Sequence, residues 1–108
     1  MSTELRRREE YEIEFTDEDR LRVRFDRTGR TVTYFSVQYL ALIETEWQPV
    51  VRMDTAHGRA HMDVSRPDGT QIASDLEVQD YNAALTWSIG EIKRQWAVFR
   101  RRYERWMR

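Results

Sequence analysis

From Leu85 onward the apolar residues recur at alternating steps of four and three: Leu85, Ile89, Ile92, Trp96, Phe99, Tyr103 and Trp106. That spacing keeps one stripe of an α-helix apolar for about three heptads. With Asp80 as N-cap it predicts a helix over residues 80–107, about 40 Å long at 1.5 Å per residue. Trp87 falls outside the stripe as a satellite. An apolar stripe of this length needs a surface to cover, and the chain ahead of it supplies one.

Residues 11–15 and 21–25 alternate apolar with charged side chains, the signature of half-buried strands, and the polar run Thr16-Asp17-Glu18-Asp19 separates them. Gly29 sits in a hairpin loop before residues 31–43, a long β-branched and aromatic stretch with apolar side chains on both parities. That pattern predicts a central strand. Residues 47–54 form the next strand, with Pro49 near its start or at an edge. Residues 60–64 and 70–73 continue the meander across the turn Arg66-Pro67-Asp68-Gly69, and residues 74–79 lead into the helix. The expected fold is α+β: a meander of five or six antiparallel strands with one long C-terminal helix packed across a face, in a single domain over residues 1–108. Residues 1–10, dense in charge and weakly patterned, are expected to be frayed or briefly helical.

The chain has 108 residues and no cysteine, so neither a disulfide framework nor a thiolate metal site is available. No run reaches the roughly 18 apolar residues of a membrane span, and the N-terminus has no apolar stretch behind its charges to serve as a signal peptide. A cytoplasmic protein is expected. The net charge of −1 hides a lopsided distribution. Residues 1–20 carry eight acids against four arginines, whereas residues 93–108 carry Lys93, Arg94, Arg100, Arg101, Arg102, Arg105 and Arg108 against Glu104 alone. The basic end can track phosphates, form a solvated helix face, or pair with an acidic segment of its own or a neighbouring chain.

Chemistry is expected at residues 52–63, which gather two arginines besides Asp54, Asp63, His57 and His61. With a loop of even length, such as residues 55–58, Asp54 faces Arg59 and Arg52 faces His61. Arg52, Asp54, His61 and Asp63 then share one face, and Met53, Met62 and Val64 point to the other. An odd loop would drive His61 and Asp63 to the apolar side, where unpaired polar groups are costly. Histidine titrates near neutral pH, so two imidazoles flanking a phosphate can divide acid and base roles while Arg52 stabilises developing charge, without a metal or other cofactor. Two alternatives stay open: a divalent metal held by Asp54, His57, His61 and Asp63, or a turn tied together by their hydrogen bonds.

Phe35-Ser36-Val37-Gln38-Tyr39, Trp47, and then Arg52, Asp54, His57, Gly58 and His61, followed by Pro67-Asp68-Gly69, resemble a family of small bacterial and archaeal proteins of uncharacterised function. Those proteins share the pattern Arg-x-Asp-x-x-His-Gly-x-x-His. More distantly the stretch is similar to TumE-type toxins of toxin–antitoxin modules. The resemblance implies an RNA-directed, ribonuclease-like toxin with a cognate antitoxin. In that reading His57 and His61 are the acid/base pair, Asp54 and Asp63 orient them, and Arg52 clamps the phosphate. Arg59, Arg100, Arg101 and Arg102 would contact the nucleic acid. The alternative expectation is a non-enzymatic module whose aromatic helix end docks a partner or a second copy of the chain as a homodimer.

Overall fold

The computed structural model describes residues 5–108. Six strands, β1 (Arg6–Thr16), β2 (Asp19–Thr28), β3 (Thr31–Ile43), β4 (Glu46–Asp54), β5 (His61–Ser65) and β6 (Gln71–Asp75), precede one helix, α1 (Tyr81–Trp106). The strands form a single antiparallel sheet in chain order, each paired with its neighbour in sequence. The expected α+β meander with one long C-terminal helix is therefore observed.

Period-two side-chain alternation divides the sheet into an apolar and a polar face. Leu21, Tyr39, Val51 and Val64 lie in one cross-strand row, and Val23, Val37, Met53 and Met62 in the next. These rows, with Phe35, form the floor of the core. The helix crosses them over β3, with further contact to β4 and β2. It buries Leu85, Ile92, Phe99 and Tyr103 of the stripe. Trp96 stacks flat on Phe15 at 5.4 Å and meets Tyr39 edge-on at 6.2 Å. Trp87 stays half-exposed outside the stripe, as its position predicts. Asp80 caps the helix by accepting from the Ala83 amide at 2.9 Å.

Three details depart from the sequence reading. The lead-in expected over residues 1–10 lies partly outside the described residues, but from Arg6 onward the chain is strand, neither frayed nor helical. Its charges find partners across the register: Arg6 and Arg8 both grip Asp26, Glu9 pairs with Arg27 at 3.2 Å, and Glu10 with Arg24 at 3.0 Å. Alternating charge also guards this edge strand against pairing with foreign strands. Pro49, expected near the strand start or at an edge, is the fourth residue of β4 but lies between two paired strands, next to a register shift between β3 and β4. Finally, β6 runs to Asp75, into residues expected to be connector.

A polar rivet joins the helix to the sheet. Arg100, expected to guide nucleic acid, donates to Asp19 at 2.8 Å and to the carbonyls of Leu42 at 3.0 Å and Glu18 at 3.2 Å. Asp19 also accepts from the Tyr39 hydroxyl and from Thr16. Burial alone would raise the Asp19 pKa, but the hydrogen bonds from Thr16, Tyr39 and Arg100 outweigh it, so the carboxyl is held below its ordinary range.

Candidate functional site

The face opposite the helix is lined with polar side chains. On β4 and β5 it presents Arg52, Asp54, His61 and Asp63, because Asp54 pairs with His61 and Arg52 with Asp63. The even parity expected for this hairpin is observed, and so is the separation of Met53 and Met62 from the charged residues. The pairing is offset by two residues from the expected one, in which Asp54 faced Arg59 and Arg52 faced His61. The reason lies in the turn. The loop spans residues 55–60 and contains a 3-10 turn, Ala56–Gly58, with His57 at φ 68° and Gly58 at φ 79°. Two successive left-handed residues curl the chain and consume two positions that the shorter loop gave to the strands. Histidine enters this region more readily than most side chains, and glycine does so without penalty.

The turn is anchored at both ends. The Thr55 amide donates to the Phe35 carbonyl at 3.2 Å, and the Thr55 hydroxyl accepts from the Phe35 amide at 3.0 Å. At the far end Gln79, a residue that sequence reading passed over, accepts from the Ala60 amide at 3.0 Å and donates to the Ala60 carbonyl at 2.9 Å. A lone glutamine in a connector gives no periodic signal, so only the fold reveals it.

Beneath the turn Arg52, Asp54, His61 and Asp63 form a closed cluster. Asp54 and Asp63 are 4% and 7% exposed, which makes their charges depend on neighbours rather than water. Arg52 Nε lies 2.7 Å from Asp54 Oδ2, and Arg52 Nη2 lies 3.4 Å from Asp63 Oδ2. His61 Nε2 stands 3.1 Å from Asp54 Oδ1 and 3.3 Å from Asp63 Oδ2, while its Nδ1 lies 3.1 Å from the Arg59 carbonyl. Both ring nitrogens of His61 are thus engaged within the protein. His57 differs: its exposed ring sits at the rim, 6.4 Å from the ring of His61.

Above the cluster opens a groove of about 650 Å³, floored by Arg52, His61 and Asp63 and walled by His57, Arg59 and β6. The structure therefore gathers His57, His61, Asp63, Arg52 and Arg59 around one space, with Asp54 buried below. Arg59 is tied to Asp75 at 3.0 Å.

A family model described as a domain of unknown function, DUF7718, matches residues 6–108. The chain belongs to the DUF7718 family. No curated protein and no solved structure matches it. The family's extent covers all six strands and the helix, so the hairpin site and the rivet at Arg100 lie within one family domain.

Arg100, Arg101 and Arg102 are not brought to the groove, because α1 covers the other face of the sheet. Arg100 serves the rivet. Arg101 is exposed, and Arg102 lays its guanidinium over Phe99 at 5.3 Å and Trp106 at 5.4 Å. Burial lowers the Arg102 pKa, with the charge of Arg105 adding to the effect. Among the cations that do share the groove's face, Arg22 and Arg24 stand in the rows that lead to it. Their cross-strand rows run through Gln38 to Arg52 and through Ser36 to Asp54. Each is paired with a glutamate of β1 at 3.0 Å. Alternation at residues 21–25 was enough to locate them, but their alignment with residues 52–63 depends on two hairpin registers.

Among the described residues no helix is long and apolar enough to cross a membrane.

Proposed function

We propose that the groove over the β4–β5 hairpin binds RNA and turns over a phosphodiester bond, with His57 as the proton-transfer group and Arg52 and Arg59 stabilising charge on the phosphate. The observation that carries this reading is the free imidazole of His57, presented by a left-handed turn at the mouth of a groove that also holds the second imidazole and two arginines. A backbone held in a sparsely populated conformation beside a cleft is a feature that functional sites use. The metal-free division of acid and base between both histidines requires His61 to release Nε2 from Asp54 and Asp63. The proton transfer therefore rests on His57. RNA would approach over the open sheet face, where phosphates exchange with Glu12 and Glu10 for Arg22 and Arg24. In the toxin-like form of this reading the substrate is cytoplasmic RNA, and a cognate antitoxin covers the groove.

Incubation of the chain with total RNA tests the reading. Wild type should cleave, His57→Ala should be slower by roughly 100-fold or more, and Arg101→Met should match wild type. No cleavage by wild type, or full activity in His57→Ala, would sink it.

A second reading rests on a separate observation: Trp106 and Met107 are 38% and 42% exposed at the end of α1, beside Arg105 and Arg108. An aromatic, basic helix end of this kind suits a protein partner or a second copy. Light scattering decides this reading. A strict monomer that Trp106→Ala leaves unchanged would count against dimerisation through the helix.

A further inference from the structure

The arrangement around His61 raises a question of charge. The Arg59 carbonyl can only accept, so Nδ1 carries a hydrogen, and Nε2 points at Asp54 Oδ1 and Asp63 Oδ2. A ring nitrogen and two carboxylate oxygens converge around something positive, either a proton on Nε2 or a metal ion in its place. Arg52 approaches Asp54 through the other oxygen, Oδ2, and reaches Asp63 Oδ2 only at 3.4 Å, so it does not bridge both oxygens that face Nε2.

We propose that Asp54, His61 and Asp63 bind one divalent transition-metal ion of the zinc or manganese type, open on one side to the groove. The donor atoms lie within 4.8 Å of one another. The distances from Nε2 to the two oxygens, 3.1 and 3.3 Å, match the roughly 3.0–3.4 Å between neighbouring donors that share an ion at about 2.1 Å. The hydrogen bond from Nδ1 to a backbone carbonyl is the support that metal-binding imidazoles use to fix tautomer and ring orientation. Both carboxylates are buried and share one arginine, two acidic groups to one guanidinium, a setting that favours a further cation beside them. Arg52 pairs with the outer oxygen of Asp54 and, reaching Asp63 Oδ2 at 3.4 Å, borders the ion's open side in the groove. One imidazole among oxygens favours zinc or manganese over magnesium and calcium, and the lack of thiolates disfavours cuprous ion. His57 stays outside the donor set and free to move protons. As a cofactor for turnover, the ion rests on the phosphodiester reading; as a binding site it stands alone.

Titration calorimetry on the full chain, dialysed against chelator and then titrated with zinc, manganese or magnesium chloride, tests the site. One ion of zinc or manganese should bind, with magnesium weaker by roughly 100-fold. His61→Gln and Asp63→Asn should weaken binding by roughly 30-fold or more, while His57→Ala stays within about 3-fold. If circular dichroism shows those variants unfolded, manganese-induced broadening in the wild-type NMR spectrum decides instead: the His61 ring signals should vanish before those of His57. Absence of heat and of broadening up to about 1 mM ion overturns the site, as does wild-type affinity in a folded Asp63→Asn chain. Ion binding without RNA cleavage keeps the site and removes the phosphodiester reading. Cleavage by a chain that binds no ion does the reverse.

Discussion

Replacing Arg100 by methionine keeps the aliphatic stem and removes the charge that joins α1 to the β1–β2 turn. Its partner Asp19 has a side chain only 5% exposed, and the arginine itself is 17% exposed. Breaking a buried pair by removing one member costs about 3–5 kcal/mol, because the other charge is left stranded. Asp19 retains Thr16 and Tyr39 as donors, which places the expected loss at the lower end, about 3 kcal/mol. For a domain of this size that corresponds to a fall in Tm of roughly 12 °C. Arg101→Met, at the exposed neighbouring position, should change stability by no more than about 0.5 kcal/mol. Urea unfolding measures both, and an unchanged m-value would confirm that the same surface is exposed. The sign of the pH dependence follows from Asp19. Its folded pKa lies below the unfolded value, so its contribution is full above about pH 4 and fades as pH falls through the lowered folded value. The gap between wild type and Arg100→Met should narrow in acid. A loss no larger than that of Arg101→Met, or a gap indifferent to pH, would refute the rivet.

Asp26, depressed to about 2 by hydrogen bonds from Arg8 and Arg6, holds β1 on the sheet. Asp26→Asn should therefore speed amide exchange along β1 with little change in β3. In the wild type, protection of β1 should be full above about pH 4 and decline toward pH 2. Gly58→Ala meets no atom within 4 Å, so any loss comes from its φ of +79° alone. The expected cost is about 1–2 kcal/mol by thermal unfolding, with no change in packing of the core.

The alternation at residues 11–15 and 21–25 and the stripe from Leu85 made the meander and its helix legible, because burial on one face writes a period into the chain. The parity of residues 52–63 was legible for the same reason: methionines and charges cannot exchange faces. The rest depended on partners far away in sequence. Arg6 to Glu10 reads as frayed until β2 supplies Asp26, Arg24 and Arg27. Arg100 reads as a free cation until the fold delivers Asp19. The occupied nitrogens of His61 follow from a left-handed turn that no residue type between Thr55 and Ala60 imposes by itself.

Each strand in the meander pairs with the one just made, so the sheet can assemble hairpin by hairpin as the chain leaves the ribosome. Its cover, however, comes last in the described order. Until α1 has emerged, the two rows that hold Val37, Tyr39, Val51 and Met53 have no cover above them. A sheet formed before the helix would be adhesive on that side. The final helix is what turns that surface into an interior.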